Sequence, residues 1–177
     1  QSWCYDDDEA HCDVAGRLYT WAAAIDSVAL AMDKENPQNC GSMGPCELPE
    51  RVQGICPNGW HLPSKDEWGI MLAESSENPL RANAKYFKSS IGWCGDEKST
   101  DDFGFSALPA GYVNIFGFSV EDEHAYRNAG YTSYWWSADE DSDGLNGGVM
   151  SIQCIDKNAE VSDAAKVAGN PVRCVKD

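Results

Sequence analysis

Apolar residues recur at steps of three and four over residues 17–33. Leu18, Trp21, Ala22, Ile25, Val28, Ala29 and Met32 share one face, which predicts a first helix with a buried stripe. A second helix is predicted over residues 63–74. Ser64 followed three positions later by Glu67 is a capping-box signature, and Trp68, Met71 and Leu72 supply the apolar face. Pro79 suits the start of a short third helix over 80–88. After Ser89 the helical period fades and glycine, aspartate, serine and aromatic residues dominate. Short strands are predicted at 103–107, 111–118, 131–138, 149–154 and 171–175. Adjacent residues of a strand point to opposite faces. Trp135 and Trp136 are therefore expected to divide, one in the core and the other either exposed for ligand binding or packed under a long loop. No repeat or linker interrupts the pattern, so residues 1–177 read as a single domain. Helices first and strands later give an α+β class.

Composition narrows the partners. The 177 residues carry 13 Lys and Arg against 29 Asp and Glu, a net charge of −16. With no basic cluster, nucleic acid and anionic membrane surfaces are poor partners. The longest apolar run, 28–32, is far short of the ~20 residues a membrane helix needs. Aromatics at 11% exclude a disordered acidic tail. The chain begins at Gln1 with no signal peptide, and is expected to be a processed or trimmed product.

Eight cysteines occur without a C-x-x-C pair, which argues against structural zinc. Disulfides fit better and place the chain in an oxidising compartment, secreted, periplasmic or on a cell surface. Spacing alone leaves 105 connectivities open.

Candidate chemistry is sparse. The run from Asp139 to Gly144 sets Asp139, Asp141 and Asp143 at alternate positions before a glycine, as in the first half of a calcium loop. Met150 at the twelfth position excludes an EF-hand. Asp6 and Asp8, between Cys4 and Cys12, form a second candidate Ca2+ site. The alternative at both places is a solvated acidic turn. His11, His61 and His124 are too scattered for a metal trio, and His61 reads as a structural histidine. No G-x-S-x-G element marks a nucleophile, and no glycine loop cradles phosphate.

Four segments carry a resemblance: GRLYTWAAA from Gly16, GICPNGWHLPSKDEW from Gly54, DDFGFSALPAGY from Asp101, and YWWSADE with the closing VRCVKD. Together they resemble the Fibrobacter succinogenes major paralogous domain (FISUMP), a bacterial extracellular module, over nearly the whole chain. LPSKDEW and the stretch from Val172 to Val175 are also similar to elements of formylglycine-generating enzymes. That similarity implies a C-type-lectin-like fold: two helices packed on a small twisted antiparallel sheet that joins the termini, with a long disulfide-stapled loop region. It further implies a Cys56–Cys174 bridge, local Cys4–Cys12 and Cys40–Cys46 bridges, and Cys94–Cys154 across the loops. Family members usually carry a stretch before the motif at Ser2. In the lectin-like fold this would supply a first strand, so the edge beside 171–175 is expected either to lack a neighbour and invite strand addition or to be covered by a local loop.

The fold is carried over and the catalysis is not, because that chemistry needs a reduced cysteine pair. The expected function is a non-catalytic extracellular or cell-surface module for binding or adhesion, recognising a glycan or a surface protein through the loops between 89 and 169. The alternatives are a filament subunit completed by self-association or a strand from another chain, and a formylglycine-generating-like or hydrolytic enzyme.

Overall fold

The computed structural model describes residues 1–41, 44–95, 99–115, 125–155 and 157–177. The N-terminal strand β1 (Ser2–Trp3) is followed by α1 (Glu9–Ala15), and then β2 (Leu18–Tyr19), which pairs back on β1. Asp8 caps α1 by accepting from the Ala10 amide at 2.9 Å. No residue of α1 is buried, so it has no apolar stripe to read in the sequence.

The helix predicted over 17–33 is broken. After β2 come α2 (Trp21–Ala24) and α3 (Ser27–Ala31). Between them Asp26 turns left-handed at φ 53° and accepts from the Ala29 amide, which an aspartate tolerates better than most residues. The break keeps Trp21 and Ile25 in the core and turns Val28 and Met32 out to solvent.

Strand β3 (Trp60–His61) leads into α4 (Lys65–Ala73), where both halves of the capping box form. The third predicted helix is instead β4 (Arg81–Asn83) and a 3-10 turn over Ala84–Tyr86, because residues 81–83 pair with an edge of the main sheet. Of the predicted strand at 111–118, β5 (Tyr112–Val113) forms and pairs with β6 (Tyr126–Arg127); positions 116–118 lie outside the described residues. Residues 103–107 form no strand beyond a single bridge at Ala107.

The main sheet is built from β7 (Thr132–Glu140), β8 (Asn146–Gln153) and β9 (Asn158–Ala165), antiparallel throughout, in the order β4-β9-β8-β7. The chain closes with β10 (Val175–Lys176), paired with β3. The edge beside 171–175 has neighbours. Tyr19 bridges Asn170, the Trp136 amide donates to the Pro171 carbonyl at 3.1 Å, and Val175 pairs with His61.

Both faces of the sheet are covered. Trp135 packs with Met150, Ile152, Trp68 and Leu72 of α4, and Phe87 and Phe105 from the long connection. Trp136 packs on the other face with Val149, Trp21, Ile25 and Leu62. A smaller core joins Leu18, Val113 and Tyr126. Gly147 is needed where β8 meets Trp21: a Cβ there would sit 2.5 Å from Trp21 Cδ1. Disulfides join Cys4–Cys12, Cys40–Cys46, Cys56–Cys174 and Cys94–Cys154, with no free cysteine. These are the pairings the resemblance implied.

Candidate functional site

A polar groove opens where α4 begins. Ser64 Oγ accepts from the Glu67 amide at 3.1 Å, and Glu67 Oε2 accepts in return from the Ser64 amide at 2.9 Å and the Ser64 hydroxyl at 3.0 Å. The second oxygen, Oε1, lies 2.8 Å from His61 Nε2. The other ring nitrogen, Nδ1, is 2.7 Å from Asp177 Oδ1. His61 is buried, and the antiparallel pairing of β3 with β10 is what brings position 177 to it. Arg51 reaches the same Asp177 oxygen at 3.7 Å. From β7, Asp139 Oδ2 accepts from the Lys65 amide at 2.6 Å, a carboxylate at the positive end of a helix.

Beside these groups lies an open cleft of about 630 Å³, lined by Glu50, Arg51, His61, Ser64, Asp66 and Glu67, with Asp139 at one side. Burial raises the Glu67 pKa. The bonds from the Ser64 amide, His61 and the Ser64 hydroxyl outweigh that and hold it below the usual glutamate range. Both nitrogens of His61 are engaged by carboxylates, and the Ser64 hydroxyl donates to Glu67 rather than to the imidazole. The arrangement fixes these side chains in place, with the Ser64 hydroxyl held on the Glu67 carboxylate. What it offers a ligand is a row of carboxylate acceptors and the guanidinium donors of Arg51.

The predicted site residues are scattered by comparison. Trp135 and Trp136 are 5% and 0% exposed, so neither offers a ring to a ligand. Of the two alternatives, the exposed tryptophan fails because the sheet is covered on both sides. Asp139 belongs to the groove just described. Asp141 closes the β7–β8 turn: Oδ1 accepts from the Leu145 and Asn146 amides and Oδ2 from the Asn146 side chain at 2.6 Å. These bonds, the Asn146 side chain foremost, hold its carboxyl below the ordinary aspartate range. Asp143 is exposed at the turn tip. Glu140 points inward to Lys166 and the Cys46 amide. The three alternate carboxylates therefore do not converge on one point. Near the N-terminus, Asp8 is the α1 cap and Asp6 is exposed, while Asp7 accepts from the Tyr126 hydroxyl at 2.6 Å. Among the described residues, the one group of three close enough to share an ion is Cys4, Glu9 and Cys12, whose cysteines are bonded to each other. His11 is exposed, and His124 lies outside the described residues.

Reading the sequence missed Glu50, Arg51 and Asp177. The capping-box signal and His61 lie in one motif, but nothing local ties them to a residue 116 positions away.

Four disulfides on a mixed helix-and-sheet frame fit an extracellular, disulfide-stapled α+β module. No helix among the described residues is long and apolar enough to cross a membrane. The chain belongs to the Fibrobacter succinogenes major domain family, whose model matches residues 1–176. No curated protein and no solved structure matches it.

Proposed function

We propose that this domain is a non-catalytic binding module of a bacterial surface or secreted protein, and that the groove at α4 is its recognition site. The observation that carries the reading is the pre-set polarity of that groove. Glu67 is held by His61, which Asp177 orients in turn, Asp139 is held by the Lys65 amide, and Arg51 stands at the rim. Carboxylates held as acceptors beside a planar donor suit a ligand rich in hydroxyl groups, so the partner proposed is a glycan. The cleft is of the size that holds small ligands, roughly 300–1,000 Å³. A binding role is supported over an enzymatic one because every cysteine is bridged and the Ser64 hydroxyl is turned away from the imidazole. The frame is read as C-type-lectin-like, supported by the β3–β10 pair and the Cys56–Cys174 bridge that tie the last strand to the approach to α4. Calcium has no part in this reading, since Asp139 and Asp141 are each engaged by backbone amides on different parts of the fold.

The test is a glycan array probed with the wild-type domain and with Arg51→Ala and Asp66→Ala, in calcium and in EDTA. Arg51 and Asp66 are exposed, so both variants should keep the wild-type melting temperature. Selective hits that both variants lose, unchanged by EDTA, support the groove. An array without hits, or hits that survive both substitutions, removes it.

A further inference from the structure

A second surface runs along α4 and shares Asp66 with the groove. There the exposed Ile70 and Leu80, at 65% and 58%, flank a mainly apolar trough of about 700 Å³ between α4 and β9, floored by Gly69, Ala73, Pro79 and Val161. β4 covers only the first part of the outer edge of β9, pairing over residues 158–160. The Val161 amide then donates to the Leu80 carbonyl at 3.0 Å, and beyond that point no strand pairs this edge among the described residues. Strand alternation turns the N–H and C=O of Asp163 to the same outer side as those of Val161. Ser162 and Asp163 are exposed. An apolar trough thus runs beside an unpaired strand edge, the combination that strand addition uses: backbone bonds give affinity and alternate side chains fill the trough.

Charge selects the occupant. The trough lining holds two acids, Asp66 and Asp163, and one base, Lys65, already paired with Asp163 at 2.5 Å. The chain as a whole carries −16, which opposes approach of a second copy and draws in a cationic one. We infer that the β9 edge and the α4 trough receive an extended segment of another polypeptide, with alternating aliphatic and basic residues, as an added strand.

The test uses an acetylated heptapeptide of alternating lysine and valine, titrated into the isotopically labelled domain. Its first control is the same peptide methylated on alternate backbone amides, which keeps charge and side chains but removes donors along one edge. Its second replaces lysine by glutamate. The expected result is saturable amide shifts centred on residues 161–165, weakened about tenfold or more by backbone methylation and by Ile70→Asp. Ile70 is exposed on its helix, so that variant should fold, and the methylated peptide needs no variant at all. Equal binding of the methylated peptide, which would mean charge attraction alone, overturns the proposal. So do shifts centred elsewhere, preference for the glutamate peptide, no binding at millimolar peptide, or sedimentation showing that the edge is filled by a second copy.

Discussion

Trp135 and Trp136 are consecutive in β7 and belong to different cores, one packed under α4 and the other under α2. The pleat separates them, and only Trp136 has its indole nitrogen anchored, donating to the Tyr19 carbonyl at 2.7 Å. Its face therefore joins the sheet to the N-terminal strands by a directed bond as well as by packing. Trp136→Phe should cost about 0.5–1.5 kcal/mol for the lost bond to a carbonyl that still accepts from the Asn170 amide at 2.9 Å, on top of lost contact area. Trp135→Phe should cost only the latter. Urea unfolding of the two variants checks this, and equal losses would mean that the Tyr19 bond adds nothing.

Lys166 follows β9 and is fully buried, with its ammonium on Glu140, on the Gly44 carbonyl at 3.2 Å and 4.1 Å above the Trp21 ring. Glu140 in turn accepts from the Cys46 amide. The pair pins the Cys40–Cys46 loop to the β7–β8 hairpin. Removing one member strands the other charge in a dry site, which typically costs about 3–5 kcal/mol. Lys166→Met should show that loss in guanidinium unfolding. Adding Glu140→Gln to it should recover part of it, because the stranded charge is then gone. A double variant less stable than Lys166→Met would refute this account.

Cys56–Cys174 closes a span of 118 residues, so in the chain-entropy account it constrains the unfolded state by about 4–5 kcal/mol. Cys4–Cys12 spans eight residues and should contribute less. Replacing each pair by alanine and comparing melting temperatures tests the order. Thiol titration of the unreduced, denatured chain should find no free sulfur. A positive titration would undercut both the extracellular assignment and the non-catalytic reading.

What local pattern could show and what it could not divides on physical grounds. The α4 start was legible because a capping box is a short-range device, with both partners three residues apart. Strands at β7 and in the second half of β8 were legible, though not their pairing, because aromatic and β-branched residues prefer pleated, half-buried backbone. Strand β9 was missed because Asn158, Ala159, Glu160, Ser162, Asp163, Ala164 and Ala165 are poor strand formers; it exists because β8 offers it a partner along nearly its whole length. The error over residues 17–33 has the same root. A helical period was present, but one aspartate that caps its own following turn outweighed it. The groove was half visible: Ser64, Glu67 and His61 stand in one motif, whereas Asp177 and Arg51 arrive through strand pairing and chain path that no local spacing encodes.

The same groove sets an acid response. Glu67 has its folded-state pKa below the ordinary value because Ser64 and His61 bond its ionised form. A carboxyl that is harder to protonate when folded binds fewer protons in the native state than in the unfolded one, so stability rises with pH across its titration. Its contribution is complete above the unfolded glutamate value, about 4.3. It is lost as the pH falls from there through the folded pKa. Asp141, held low by the Asn146 side chain and neighbouring amides, acts in the same direction over the aspartate range. Glu67→Gln keeps the side-chain shape and removes the titration. Melting temperatures between pH 2 and 7 should therefore fall less steeply on the acid side for Glu67→Gln than for the wild type, with the largest gap between the two at neutral pH. Parallel acid limbs would show that Ser64 and His61 do not favour the ionised form of Glu67, and the groove would then lose the fixed carboxylate on which its proposed recognition depends.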